Sequence, residues 1–492
     1  MKILSAEQQR QADAYTIENE PIASIDLMER ASKRWVDHSI PFLRSNNIYI
    51  FAGFGNNGGD GLAIARILFR RGFNCTVIHL RFDKTLSADS ESNLDKLPRG
   101  IDLINVFTIA DLDKLNLKND AVLIDAIFGS GLTRPLDGDF AETIEVFNRS
   151  TALLKIAIDV PSGLFSDKTN QPKDTIAKCN LTITFQAPKL SFLFSENFNY
   201  VGEFIVANID LHKSYLNTAK SQYNYVTKRD ITPLLTKRKK YTHKGSFGHL
   251  GVIKGNYQTI GASYLAALSG FNSGTGLVSL LDFEESNNLT QWPELMHKNL
   301  APESINHFTL CVGPGLGTDS NSIAKLKLCL DNNPKPMVVD ADAINIIAKH
   351  QEYLNKVPKN SIITPHPKEL ERLIGKTKDS FEQLENAKEF AKKYGVILLI
   401  KRANTAIVNS DGIVYFNSTG NPGLAKAGSG DVLSGIIASF LAQGYDPIIA
   451  AKLGVYIHGK AADDLIKKTS DYSFSPQLLI GQIGKTLKRL GV

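Results

Sequence analysis

Only four cysteines occur in the 492-residue chain, and Cys75, Cys179, Cys311 and Cys329 stand too far apart to form a CxxC pair. That spacing supports neither a zinc site nor a disulfide framework, so these side chains are read as reduced thiols in apolar cores. Also lacking is any uninterrupted apolar run long enough to cross a bilayer. The first residues, MKILSAEQ, turn polar at once and hold no signal-peptide apolar stretch, so a cytoplasmic enzyme is expected. No low-complexity segment stands out, and 56 Lys and Arg against 50 acids leave a net charge of only +6. So mild an excess, without a clustered basic stripe, argues against a nucleic-acid groove and suits anionic small molecules.

What is present is a globular composition, 43% hydrophobic and 22% charged, on a chain long enough for two or three domains. In the first half, short apolar runs at 47–52 (NIYIFA), 75–80 (CTVIHL), 121–125 (AVLID) and 155–159 (KIAID) alternate with helical spacing such as that of 62–71. Strands alternating with helices predict a parallel sheet covered on both faces, with ligands at the carboxyl ends of the strands. The pattern fades over 215–229, where Tyr223 to Thr227 reads as a lead into the next domain. The basic run Lys237-Arg238-Lys239-Lys240 follows, either a solvated face or a patch near phosphates. The second half repeats the alternation at 248–254, 309–312, 337–340 and 397–401, then becomes Gly-rich over 420–435. The halves share no repeat, so two unrelated α/β domains are expected, over 1–218 and 226–492.

Three strand ends in the first half carry polar chemistry. Residues 53–61 (GFGNNGGDG) hold five glycines in nine residues directly after a strand and open a helix. Such a loop lets backbone N–H groups approach an anion, although a tight strand-to-helix turn would also use glycine. Asp125 heads DAIFGSGL, and Asp159 heads DVPSG. Either aspartate alone could be a helix cap or loop anchor. Together the three ends predict one polar pocket whose hard oxygen donors suit K⁺ or Mg²⁺.

In the second half, residues 420–431 (GNPGLAKAGSGD) precede an apolar helix. N–H groups at that helix start form an anion hole, and the helix dipole favours an ionised Asp431 able to act as a base. A plain Asp cap after a flexible loop is the structural alternative. Gly313 to Gly317, Asp340 to Ala343, the run Thr364-Pro365-His366-Pro367-Lys368-Glu369, and Lys401 with Thr405 mark four further strand ends.

These motifs, in this order, carry a resemblance. The GxGNNGGDG loop, DAIFGSGL and DVPSG resemble the NAD(P)H-hydrate epimerase family over about residues 5–212. The GxGD loop is similar to that of the ribokinase-like superfamily, and with GSFGHLGVIKG and Gly261-Ala262-Ser263 it resembles the NAD(P)H-hydrate dehydratase family over about 227–491. The resemblance implies a Rossmann-like first domain and a ribokinase-like second one. It implies that Asn56, Asn57, Gly58, Gly59, Asp60 and the run Gly129, Ser130, Gly131, Leu132, Thr133, Arg134 and Pro135 line the hydrated nicotinamide nucleotide. Asn57, Asp125 and Ser162 would hold K⁺, and Asp159 would be the acid/base. In the second domain Ala262, Gly315, His366 and Asp431 would contact the hydrate. Lys401, Arg402, Ala403, Asn404, Thr405 and Gly430 would contact ADP or ATP carrying Mg²⁺. The family commonly forms homo-oligomers. Three positions depart from it: Ser130 stands where Thr is more usual, Lys368 where Gly is usual, and Arg402-Ala403-Asn404 replaces a Gly-rich segment, adding bulk and charge at the pocket rim. Two other readings of the residues stand beside this one. A small-molecule kinase with a regulatory first domain fits the GxGD loop equally well, and a non-catalytic nucleotide-binding scaffold would turn over nothing.

Overall fold

The computed structural model describes residues 1–82, 85–115, 117–283, 292–299 and 301–492. They form two compact units, one of Lys2–Ser221 and one of Gln222–Val492 together with Met1.

The first unit is built on seven strands: β1 (Ile48–Ala52), β2 (Cys75–Leu80), β3 (Asp102–Val106), β4 (Val122–Ala126), β5 (Leu154–Ile158), β6 (Leu181–Phe185) and β7 (Glu203–Ala207). They pair in the order β3-β2-β1-β4-β5-β6-β7, and every pairing is parallel. Side chains of β1 alternate between faces. Ile48, Ile50 and Ala52 join Leu27, Ala31, Trp35 and Val36 of the helix Ser24–Ser39 in one core. Phe51 points the other way and meets Phe147 of the helix Gly138–Arg149 edge-on, with ring centroids 5.4 Å apart. The chain leaves β1 toward β2 on one side and reaches β4 on the other, so the sheet changes direction between β1 and β4, where open α/β sheets bind ligands. The helix Asn56–Arg70 starts hard against that point. A side chain at Gly58 would put its Cβ 1.9 Å from the Gly53 carbonyl oxygen, which is why the loop needs glycine.

The second unit has ten strands: β8 (Tyr223–Val226), β9 (His249–Ile253), β10 (Leu277–Asp282), β11 (Met296–Asn299), β12 (Thr309–Val312), β13 (Val338–Val339), β14 (Ile362–Ile363), β15 (Ile397–Ile400), β16 (Ala406–Val408) and β17 (Val414–Asn417). Their order is β11-β10-β9-β12-β13-β14-β15-β16-β17-β8, parallel except where β16 runs against both its neighbours. Residues 223–226, read from sequence as a lead-in, are instead the edge strand beside β17. Three of the four are only half-buried, and the apolar signature of a central strand is absent. The direction of the sheet changes between β9 and β12. The Gly-rich segment ends in the helix Ser429–Ala442, which crosses the helix Ile260–Asn272 at backbone contact. A Cβ on Gly435 would lie 2.0 Å from the Ala266 carbonyl oxygen. All four cysteines are buried free thiols. No helix among the described residues is long and apolar enough to cross a membrane.

Each unit encloses its own apolar core. Residues 2–221 and 222–492, produced as separate polypeptides, are expected each to show a cooperative unfolding transition in calorimetry.

Candidate active sites

At the β1/β4 switch point of the first unit lies a cavity of about 750 Å³. Asn56, Asn57 and Asp60 line it from the start of the helix Asn56–Arg70, Gly129 through Pro135 from the loop after β4, and Asp159 from the end of β5. Gly58 and Gly59, expected at the ligand, are not among the lining residues. They are buried in the helix start, against the Gly53 backbone and against Met28. Phe54, Phe128 and Phe140 make an aromatic wall with centroid separations of 4.9 to 5.8 Å.

Asp159 adopts a left-handed backbone, φ 61°, which an aspartate tolerates and which turns its side chain into the site. Burial works against its charge. The Lys189 ammonium at 2.7 Å, the Phe185 N–H at 3.1 Å and the Thr184 hydroxyl at 3.0 Å together hold the carboxyl below its ordinary range. Asp60 is pushed well above that range by burial and by the charges of Asp159, Asp13 and Asp89. Asp13, on the helix Ala6–Asn19, also faces the cavity, and burial lifts its carboxyl to about 7. Neither Asp13 nor Lys189 stands in a motif; only the fold brings them to the strand ends.

Asp125 sits beneath the cavity, fully buried at the end of β4. It accepts from the Ser162 N–H at 2.7 Å, the Ser162 hydroxyl at 2.5 Å and the Ile127 N–H at 3.2 Å. Burial lifts the carboxyl to about 6. The Phe128 carbonyl is 3.2 Å from the same hydroxyl, and a Cβ on Gly129 would lie 3.2 Å from the Asn57 amide oxygen. Among the described residues the buried Asn57 Nδ2 has no hydrogen-bond partner. A buried carboxylate without a cationic side chain, with a hydroxyl and a carbonyl oxygen close by, has donor chemistry that suits a hard cation.

In the second unit the carboxyl ends of β9, β12, β13, β14 and β15 face the start of the helix Ser429–Ala442, whose N-cap Gly428 has φ 88°. Asp431 lies in its first turn. Burial, reinforced by the charge of Asp340 and opposed by Lys401, raises its carboxyl to about 6. Lys401 Nζ is 3.7 Å from where a Cβ on Gly430 would stand, and it pairs with Asp340 at 2.8 Å. Ser434 donates to the other Asp340 oxygen at 2.6 Å. Burial opposes the Asp340 charge, yet Lys401 and Ser434 hold its carboxyl below the usual range. Ala262 and Gly315 are neighbours: a Cβ on Gly315 would be 3.2 Å from that of Ala262. His366 caps the helix Pro367–Ile374, its Nδ1 accepting from the Lys368 N–H at 3.1 Å, and burial and Lys401 keep the ring neutral by lowering its pKa.

The side chains of residues 401–405 have different partners. The Arg402 guanidinium turns to Gln383 and Ser380 on the helix Ser380–Tyr394. Asn404 bonds the Asn417 carbonyl at 3.1 Å, Thr405 bonds the Arg402 carbonyl at 3.1 Å, and Ala403 is exposed. The charge expected of Arg402 at the pocket rim is thus spent on a helix, whereas Lys368 is exposed. All four residues of the basic run 237–240 are exposed, with Arg238 stacked 3.9 Å over Phe247. His458, unmarked in the sequence, is buried behind the helix Ser429–Ala442 with Nε2 3.0 Å from the Ser429 carbonyl. Burial drops its pKa to about 4, so it stays neutral and donates there. Among the described residues no three carboxylate, imidazole or thiolate groups cluster to hold a metal by themselves.

Two parallel-sheet units, each with buried aspartates at its switch point, define a two-centre α/β enzyme. Residues 24–191 match the family described as YjeF-related protein N-terminus, and residues 250–485 match the family described as NAD(P)H-hydrate dehydratase. The bifunctional NAD(P)H-hydrate repair enzyme of Moorella thermoacetica is 33% identical over 95% of this chain and 93% of its own. That of Helicobacter pylori is 34% identical over 89% of each. A ribokinase-like superfamily protein of Enterococcus faecalis, solved as a crystal structure, is 28% identical over 56% of this chain and 98% of its own, with a TM-score of 0.49. The chain belongs to the family of bifunctional NAD(P)H-hydrate repair enzymes.

Replacing Lys401 by Met leaves Asp340 buried without its cation, a loss of roughly 3 kcal/mol at neutral pH. Because the pair depresses the Asp340 pKa, the wild-type advantage is expected above the ordinary carboxylate range and lost as pH falls through the folded-state value. Melting temperatures of both proteins at pH 7 and pH 3 to 4 check this.

Proposed function

We propose that the first unit interconverts the R and S epimers of hydrated NADH and NADPH, and that the second dehydrates the S epimer at the expense of ADP or ATP. The observation that carries this reading is Asp431, placed in the first turn of the helix Ser429–Ala442 with its carboxyl lifted to about 6 beside the Lys401–Asp340 pair. A carboxyl so tuned is mostly ionised at neutral pH yet basic enough to take a hydroxyl proton.

The substrate carries a hydroxyl on the ring carbon next to the nitrogen, and hydroxide leaves poorly near neutral pH. Asp431 takes the hydroxyl proton as its oxygen attacks the terminal phosphoryl group. N–H groups of residues 428–430 and the Lys401 ammonium face the charge that develops. The ring nitrogen then expels phosphate, and loss of a neighbouring ring proton restores the dihydronicotinamide. Mg²⁺ would arrive on the nucleotide's phosphates and spread their charge. Ala262, Gly315 and His366 would bound the hydrate, and Gly430 and Thr405, with Lys401, the nucleotide. In the first unit Asn57, Asp125 and Ser162 would hold K⁺, which would neutralise Asp125 and tie the loop after β4 to the Gly-rich loop. Asp159 would move protons at the substrate. In-line transfer accepts one stereochemistry, which is why an epimerase on the same chain is useful. The natural setting is the cytoplasm, where both cofactors are used, and self-association would follow the family habit.

Asp431→Ala is expected to lower dehydration about 10²-fold or more while leaving epimerisation intact, read as regained NADH absorbance and released phosphate. A phosphorylated product that accumulates would instead indicate a small-molecule kinase. Dehydration by the wild type should fall as pH drops below about 6, because a protonated Asp431 cannot accept the hydroxyl proton. Asp159→Asn should leave the S epimer consumed and the R epimer stranded; R consumption at the wild-type rate removes Asp159 from the mechanism.

A further inference from the structure

Inversion of a carbon bearing a hydroxyl needs one group to give a proton and another to take one, and Asp159 alone is a single group. Asp13 is carried on the helix Ala6–Asn19, an element separate from the end of β5, yet it lines the same cavity as Asp159. Its carboxylate accepts from Gln9 Nε2 at 3.0 Å, one turn earlier, and Gln9 also faces the cavity. Lys189 is already committed, at 2.7 Å from Asp159 Oδ1 and 3.3 Å from the Phe185 carbonyl. Arg10, on the same helix as Asp13, is held by Glu7 at 2.6 Å. Asp89 accepts from the Ser24 hydroxyl at 2.6 Å. Arg134, which also lines the cavity, stands exposed in the loop after β4. Among the described residues Asp13 therefore has an amide partner but no ion pair, and it shares the cavity wall with apolar Leu27, Met28 and Phe185.

From this we infer that Asp13 is the second proton-transfer residue of the epimerase and works as a pair with Asp159. The inference rests on the function proposed above. In one direction protonated Asp13 gives its proton to the departing hydroxyl oxygen. The carbon–oxygen bond breaks with its electron pair going to oxygen, water leaves, and the nitrogen lone pair forms a carbon–nitrogen double bond. Water then adds to the other face of that carbon, the double-bond pair returns to nitrogen, and the proton lost by the adding water passes to ionised Asp159. One proton has crossed from Asp13 to Asp159, and the reverse reaction returns it.

The surroundings separate the two roles. Asp159 is held ionised by Lys189, Thr184 and Phe185, while burial sets Asp13 near 7, so that it exchanges its proton in the working range. Asp60, on the helix Asn56–Arg70, also lines the cavity, and burial with the charges of Asp159, Asp13 and Asp89 raises its carboxyl. Both directions of the reaction need the pair to hold one proton. The epimerisation rate is thus level below about pH 7 as long as Asp159 stays ionised, and falls above it.

The test uses the full chain and purified R epimer. Asp13→Asn, of the same shape, is expected to slow R-to-S conversion by about 10²-fold or more and to abolish the fall above pH 7. Asp13→Glu should keep part of the rate with the limb displaced. Dehydration of purified S epimer by each variant reports that the chain is folded. Inversion in H₂¹⁸O should place one solvent oxygen in each inverted molecule. An Asp13→Asn chain that inverts within threefold of the wild type, or that keeps the limb near pH 7, overturns the assignment, as does inversion with the original oxygen retained. A wild-type chain that left the R epimer unchanged would overturn the function proposed for the unit itself, a result distinct from a defect confined to the Asp13 variants.

Discussion

A carboxylate at the end of a buried parallel strand has no water to hold its charge, so its pKa is kept in or below the ordinary range only if the fold brings a cation to it. Asp159 and Asp340 meet that condition in the same way, with Lys189 at 2.7 Å and Lys401 at 2.8 Å. Each lysine belongs to a turn that follows a nearby strand: β6, which pairs with β5, in one unit, and β15, separated from β13 by β14, in the other. The pairing does more than stabilise. Burial raises the carboxyls of Asp13 and Asp60 in the first unit and of Asp431 in the second, and the charge of Asp159 or Asp340 adds to it. The buried ion pair thus reinforces, at each site, what burial does to the neighbouring carboxyls.

Asp125 shows the same constraint met differently. It is as deeply buried as Asp340, but its partners are a hydroxyl and two backbone N–H groups. Its carboxyl drifts up to about 6, and an orphaned amide nitrogen of Asn57 lies in the same loop cluster. The cation proposed for this loop cluster would come from solution, whereas a lysine is a permanent one.

Both sites occupy the point where strand order reverses, and both depend on backbone contacts that exclude a side chain. The turn at Gly53 and Gly58 seats a helix N-terminus over β1, and the crossing at Gly435 and Ala266 seats another over β9 and β12. Behind the second, His458 stays neutral in an apolar setting and holds the Ser429 carbonyl, fixing the turn that carries Asp431. Precision at the site is therefore inherited from packing on the side away from the ligand.

Motifs confined to a few consecutive residues were legible without coordinates. A strand followed by Gly, Asn and Asp carries its meaning locally, because the turn geometry and the side chains that use it are covalently adjacent; this is why the loops at Asn57, Asp125 and Asp159 could be read as strand ends and that at Asp431 as a helix start. The edge strand Tyr223–Val226 was not legible, since a half-buried edge lacks the apolar run of a central strand. Nor was the turn of Arg402 toward Gln383, which only the neighbouring helix decides. Asp13 on an N-terminal helix and Lys189 in an ordinary loop have no local signature at all, because their chemistry comes from facing Asp159 across the fold. By itself the sequence determined which strands end in reactive groups. Tertiary structure alone decided which of those groups are charged, because charge state depends on burial and on partners distant along the chain.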